Sequence, residues 1–192
     1  MARTSIQSLI TQATTNFADN STQLITPAFL RNWATAFLDT MAPAYGMIQR
    51  TTGVVVALTN AVYTAIAPFT SQLAATVPDF SANIAGGSVT NLIGTVPGKT
   101  TRITVDGMVE GPNNNAITIA IFINGAASLY NQSVITNGAG NVIGFNFSGL
   151  TYQAGVNTVV DVRAIAANAG SAGNYTFSST TILCENVPVN AF

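Results

Sequence analysis

From about residue 100 onward, apolar and polar residues alternate with a period of two, and turn-forming residues interrupt the chain at short intervals. Successive side chains of a β-strand point to opposite faces, so this alternation predicts strands with one buried face. The segments combine β-branched or aromatic residues with Gly, Asn or Pro at or near their ends. Their spacing predicts an antiparallel sandwich. The predicted strands are 101–111, 116–125, 126–135, 141–150, 157–167 and 175–187.

Two glycine-containing stretches are interpreted as turns between these strands. Asn124 and Gly125 lie between two apolar runs and predict a tight hairpin, because both central residues of a type I′ turn need positive φ. The run 137–140, Asn-Gly-Ala-Gly, predicts a longer connection of the same kind. The sequence GAGNVIG at 138–144 superficially suggests a phosphate loop, but it lies between strands and leads into no helix.

Charged side chains make up only 7% of the 192 residues, against roughly 25% in an ordinary soluble domain. Asn, Thr, Ser, Gly and Ala are abundant instead, so the surface must rely on amides and hydroxyls, which suits a permanent assembly. The six basic residues are scattered without interleaved aromatic residues, which argues against nucleic-acid binding. We therefore expect other protein chains, and not nucleic acid, as partners.

The sequence offers little for catalysis or metal binding. Histidine is absent, which removes the usual general base and the commonest metal ligand. Asp106 and Glu110 form the nearest acidic pair of the β region, at an even spacing that places both on one strand face. We interpret them as solvated strand-end acids; a glycosidase-like pair and a calcium ligand are the alternatives. The prediction is a protein that is not an enzyme and has no catalytic residues, no cofactor and no metal site.

Cys184 is the single cysteine, so no disulfide can form within the chain, and we expect it to be a small buried residue of a strand.

Residues 51–78 carry no charge and invite interpretation as a membrane span. Thr59, Asn60 and Pro68 interrupt the stretch, and uncharged sequence recurs in the strand-like region, so no span is predicted. The amino terminus lacks the pattern of a signal peptide.

The segment 17–41 predicts a helix unlike the rest of the chain. Thr26 can cap its start, Pro27 suits the first helical position, and Pro43 ends it. The spacing of its apolar residues produces one continuous apolar face. That face either completes the core of its own domain or docks on another subunit. The predicted anchor interface consists of Phe29, Leu30, Trp33, Phe37 and Leu38.

The β region resembles a jelly roll of the tumour necrosis factor and complement type. The resemblance covers roughly residues 45–189, from YGMIQ through VPGKTTRITVDGMVEG and AITIAIFINGAASLYN to GNYTFSSTTILCENV. Residues 152–155 take the place of the family's L-x-x-G step before a long central strand. The resemblance implies a homotrimer, and the uncharged run 111–160 favours apolar and amide contacts along its axis. The candidates for aromatic residues on that axis are Phe122, Tyr130, Phe145, Phe147, Tyr175 and Phe177.

The amino-terminal segment is similar to a short module of tailed-bacteriophage virion proteins with the core F-x-D-N, I-T-P and L-R. Here the core residues are Phe17, Asp19, Asn20, Ile25, Thr26, Pro27, Leu30 and Arg31. The resemblance implies a helical anchor at 1–44 and a jelly-roll domain at 45–192. It also implies localisation in the virion, as a capsid head fibre or decoration protein that contacts proteins such as the major capsid protein.

The alternative function is a tail-fibre protein that recognises a host surface glycan. Platforms for sugars need exposed aromatic side chains, and Trp33 lies in the predicted anchor. Tyr130 and Tyr152 are then the candidates for glycan contact.

Overall fold

A computed structural model describes residues 30–34, 44–74, 79–92, 99–151 and 157–188. In these ranges the chain forms two antiparallel sheets packed face to face as a jelly-roll sandwich, which confirms the predicted fold class. The strands are β1 (Ala44–Gln49), β2 (Val54–Leu58), β3 (Thr64–Ala65), β4 (Ser71–Ala74), β5 (Phe80–Asn83), β6 (Ser88–Asn91), β7 (Lys99–Glu110), β8 (Asn113–Ile123), β9 (Ala126–Asn137), β10 (Ile143–Thr151), β11 (Thr158–Ala166) and β12 (Gly173–Pro188).

Sheet A has the strand order β10-β7-β12-β1-β4, with β2 also paired to β12. Sheet B has the order β5-β6-β11-β8-β9, with β3 also paired to β11. β12 pairs with β2 over Gly173–Phe177 and with β1 over residues 181–186, so two short strands share one of its edges. The register shifts between Ser178 and Thr181, where Ser179 has a φ of 48°. This irregularity marks the changeover from β2 to β1.

The predicted turns are present. Asn124 and Gly125 connect β8 to β9 with φ angles of 51° and 79°, which confirms the tight hairpin. The Asn124 side chain also accepts a hydrogen bond from the Val159 amide at 2.8 Å, which ties the hairpin to β11. Gly138 and Gly140, at φ angles of 91° and 81°, shape the connection from β9 to β10.

The core lies between the sheets and consists of the inward-facing residues of each strand. Sheet A contributes Ile48, Ile103, Val105, Phe177 and Ile182, all with no exposed area. The inner side chains of sheet B are mainly β-branched or small: Val89, Ile117, Ile119, Ile121, Val160, Val162 and Ala164. Cys184 is fully buried in β12, as predicted, and burial raises the pKa of its thiol.

The uncharged stretch that begins at residue 51 forms short strands. β2, β3 and β4 lie within it, and each has five residues or fewer. Among the residues that the structure describes, no helix has the length and apolar character needed to cross a membrane.

Part of the predicted amino-terminal helix falls in the described ranges. Residues 30–34 are helical; Leu30 is 45% exposed, and Trp33 is half-buried. Phe29, Phe37 and Leu38 of the predicted anchor interface lie outside the described residues.

Candidate assembly interface

The outer face of sheet A is a continuous surface across five strands, roughly 19 Å wide at the usual strand spacing. Because directly paired residues point to the same side, the register places one outward row across all five strands. The row runs through Leu73, Met47, Leu183, Thr104 and Ser148. Leu73 is 52% exposed, and Met47 and Leu183 are half-buried. Three apolar side chains therefore lie side by side, pointing away from the core of their own chain.

The rows on either side of this apolar row are mostly polar. On one side Gln49, Thr181, Asp106 and Asn146 follow each other across the sheet. On the other side Tyr45 lies opposite Glu185, whose carboxylate forms an ion pair with Arg102. An apolar centre with polar neighbours is the usual arrangement of a protein interface.

Asp106 lies in the middle of β7, so the prediction of a strand-end acid is wrong for this residue. Partial burial between neighbouring strands raises the pKa of its carboxyl group above the ordinary value, and a hydrogen bond from Thr181 acts in the opposite direction. The raised pKa means that the folded protein binds this proton more tightly than the unfolded chain does. The contribution of Asp106 to the free energy of unfolding therefore falls as pH rises from the ordinary carboxyl pKa through the raised pKa of Asp106 in the folded protein.

We expect Asp106→Asn to remove this loss of stability. At pH 7 the variant should melt at or above the temperature of the wild type, and the difference should vanish near pH 3, where the wild-type carboxyl is protonated. Circular-dichroism melting at both pH values measures it. Asp161→Asn is the control, because it weakens the ion pair with Arg163 and should lower the melting temperature at pH 7. A larger destabilisation by Asp106→Asn at pH 7 than at pH 3 would contradict the interpretation.

Glu110, the other member of the predicted pair, lies at the end of β7 and is used structurally. Its carboxylate accepts a hydrogen bond from the Gly140 amide at 2.7 Å and so holds the connection from β9 to β10. It also lines a small open pocket with Pro112, Asn174 and Thr176. Within the described ranges, no three His, Cys, Asp or Glu side chains come close enough together to hold a metal ion.

The outer face of sheet B differs from that of sheet A because its charged and aromatic side chains bind each other. Arg163 donates two hydrogen bonds to Asp161, at 2.7 and 2.9 Å, and its guanidinium lies 4.3 Å from the centre of the Phe122 ring. Tyr63 packs edge-on against the same ring at 5.0 Å. This cluster is already complete within one chain.

The structure does not place the predicted axial aromatic residues on the outer face of sheet A. Phe145, Tyr175 and Phe177 are buried in the core, because they occupy inward positions of β10 and β12. Phe147 packs partly buried against the same core. Tyr45, which was not among the candidates, is the aromatic residue that β1 presents outward.

The remaining candidates also take other positions. Phe122 belongs to the cluster on sheet B, and the ring of Tyr130 lies close against the backbone of Gly149. A Cβ atom added at Gly149 would lie 2.3 Å from that ring. Gly149 therefore covers part of the Tyr130 ring, while the residue stays 36% exposed. Tyr152, the other candidate for glycan contact, lies outside the described residues.

The uncharged run 111–160 is not the source of the apolar row. It contributes β8 and β9 to sheet B and β10 to sheet A, so it is divided between the two sheets. Leu73, Met47 and Leu183 come from other parts of the chain. Runs of apolar residues at consecutive strand positions, Met47 with Ile48 and Ile182 with Leu183, are the sequence signal that both faces of these strands are apolar.

Several solved structures are similar to this chain at low sequence identity. No protein-family model and no curated protein matches the sequence. The chain is similar to Eiger TNF from S. frugiperda, with 12% identity and a TM-score of 0.48 over 79% of this chain and 97% of that one. It is similar to the globular domain of zebrafish complement 1qA, with 11% identity and a TM-score of 0.45 over 76% and 97%. The PRD1 vertex protein P5 is also similar, with 11% identity and a TM-score of 0.44 over 77% and 97%. These likenesses concern the jelly-roll fold.

Proposed function

We propose that this chain is a structural protein of a tailed-phage virion, displayed on the capsid as a trimeric head fibre or decoration protein. The apolar row on the outer face of sheet A carries the trimer proposal. Leu73, Met47 and Leu183 project from one face of sheet A, where a second copy can cover them. Burying such side chains stabilises association by about 25 cal/mol per Å² of apolar area. On the outer face of sheet B, Arg163, Asp161 and Phe122 already bind each other within one chain. The exposed apolar side chains of Leu129 and Ile135 lie on β9, the edge strand of that sheet.

The phage assignment depends on the amino-terminal module. The F-x-D-N, I-T-P and L-R core of residues 17–31 is similar to attachment segments of phage virion proteins. Leu30, in the part of this segment that the structure describes, is 45% exposed, which leaves it available to a partner such as the major capsid protein. The segment would then attach the trimer to the particle.

We also propose that the protein acts by assembly and not by catalysis. The chain has no histidine, and the described carboxylates of Glu110, Asp161 and Glu185 are engaged in structural hydrogen bonds or ion pairs. These contacts favour a structural role.

Deletion of residues 1–43 tests the attachment. The deletion should end at residue 43 because Ala44 begins β1 and is 1% exposed. We expect the shortened protein to stay folded and trimeric but to be lost from purified particles in a sedimentation assay. Trp33→Ala should weaken incorporation by about 2 kcal/mol, the effect of removing an interface aromatic side chain, with little change in melting temperature.

Two outcomes of the deletion would contradict the attachment role. Full retention of the shortened protein on particles would show that attachment lies elsewhere. Aggregation or a markedly lower melting temperature would show that the helix completes the core of its own domain, since large core side chains contribute several kcal/mol each.

A further inference from the structure

Arg50 is a buried cation without an anionic partner in the described part of the chain. Arg50 follows β1 directly. It lies near the point where β12 stops pairing with β2 and starts pairing with β1. Its backbone amide donates a hydrogen bond to the Thr180 carbonyl at 2.8 Å, and the residue is only 3% exposed. The ion pairs of the described residues join Arg102 to Glu185 and Arg163 to Asp161, and neither includes Arg50. A buried charge in this state is costly unless something compensates it.

The contacts of the Arg50 guanidinium leave one edge of the group free. Its Nη1 atom donates a long hydrogen bond of 3.4 Å to the Thr52 carbonyl. The guanidinium carbon lies over the Phe69 ring, 5.5 Å from the ring centre. The Nε and Nη2 atoms are buried and have no hydrogen-bond partner.

Nε and Nη2 are the two donors that a guanidinium uses together for bidentate binding of a planar oxyanion. The same protein shows this binding elsewhere, because Arg163 holds both oxygens of Asp161 with its Nε and Nη2 atoms at 2.7 and 2.9 Å. Arg50 presents the same two donors, but no carboxylate of the described residues binds them.

We propose that the Nε and Nη2 edge of Arg50 is a binding site for a small planar oxyanion of the carboxylate type, such as formate, acetate or hydrogencarbonate. The ligand must be small because both donor atoms are enclosed. Thr51, Thr52 and Gly53 follow Arg50 and are exposed, and the Thr52 carbonyl contacts the guanidinium. We infer that the anion enters beside this segment. Binding of the anion would neutralise the buried charge. It would also stabilise the part of β12 where the partner strand changes from β2 to β1.

Titration of the full chain with sodium formate, against sodium chloride at equal ionic strength, tests this site. The sequence has five arginines, so the Nε–H signals in a ¹⁵N–¹H correlation spectrum are few, and the signal of Arg50 is the one that Arg50→Lys removes. We expect that signal to shift saturably with formate and not with chloride. At tenfold excess over the dissociation constant, formate should also raise the melting temperature by about 3 °C or more.

Two variants control the titration. Arg50→Lys keeps the charge but lacks the planar pair of donors, so its melting temperature should not respond to formate beyond the response to chloride. Arg102→Lys alters an exposed arginine and should keep the wild-type response. The proposal is overturned if formate and chloride have equal effects on the Arg50 signal and the melting temperature of the wild type. This comparison does not depend on whether either variant folds. It is equally overturned if Arg50→Lys responds to formate as the wild type does.

Discussion

We expect Leu183→Glu to convert the proposed trimer into folded monomers. Leu183 occupies the centre of the apolar row, between Met47 on β1 and Thr104 on β7, and points away from the core. In a trimer formed through this face, the substitution would bury one carboxylate in each copy without a cation opposite it. The penalty for a buried unpaired charge is several kcal/mol per ion, more than the apolar contact of one leucine contributes. Sedimentation velocity at micromolar concentration measures the change.

Ile135→Glu is the matched control for this experiment. Ile135 also points outward from a strand and is 58% exposed, but it lies on β9 at the edge of sheet B. Its variant should sediment like the wild type. Equal dissociation by both variants, or an unchanged trimer in Leu183→Glu, would show that the outer face of sheet A does not join the copies.

A second large effect is expected in the core, where Phe177→Ala should lower the free energy of unfolding by about 3 to 5 kcal/mol. Phe177 has no exposed area and packs edge-on against Phe145, with ring centres 6.3 Å apart. It lies in β12 between Val109 of β7 and Val54 of β2, so these strands have little freedom to close a cavity. For a chain of this length the loss corresponds to roughly 10 °C in melting temperature.

Leu129→Ala provides the comparison for this loss. Leu129 lies on β9 of sheet B, outside the outer face of sheet A, and is 95% exposed, so its removal should change the melting temperature by only a degree or two. Thermal unfolding at one fixed protein concentration measures both variants. Similar losses in the two variants would contradict the assignment of Phe177 to the core.

The long strands were predictable because local chemistry determines them. Alternation over nine or more residues identifies β7 to β12, and Asn124 with Gly125 supplies the positive φ angles that the β8–β9 hairpin requires. The strands β2 to β6 have two to five residues each, which is too short for a period of two to emerge. They form because long neighbours such as β12 and β11 offer edges to pair with.

The irregularity in β12 was hidden for a related reason. Ser179 adopts a φ of 48° although serine carries no particular preference for that region. The conformation follows from the pairing of one strand with β2 and then with β1, which is a property of the sheet.

The candidate sites depend on tertiary structure even more. Leu73, Met47 and Leu183 become neighbours only through the strand order of sheet A. From the sequence, Arg50 is one scattered cation among six basic residues, and only the fold shows it to be buried. Charge counting alone therefore could not separate it from the exposed Arg102.

Multi-angle light scattering of the full chain, after gel filtration at micromolar concentration, measures most directly whether three copies join through the outer face of sheet A. One chain has a mass of 19.8 kDa. We expect a single peak with three times that mass, because the apolar row gives each copy the same surface to bury around a three-fold axis. A single peak at the mass of one chain would contradict the proposed assembly.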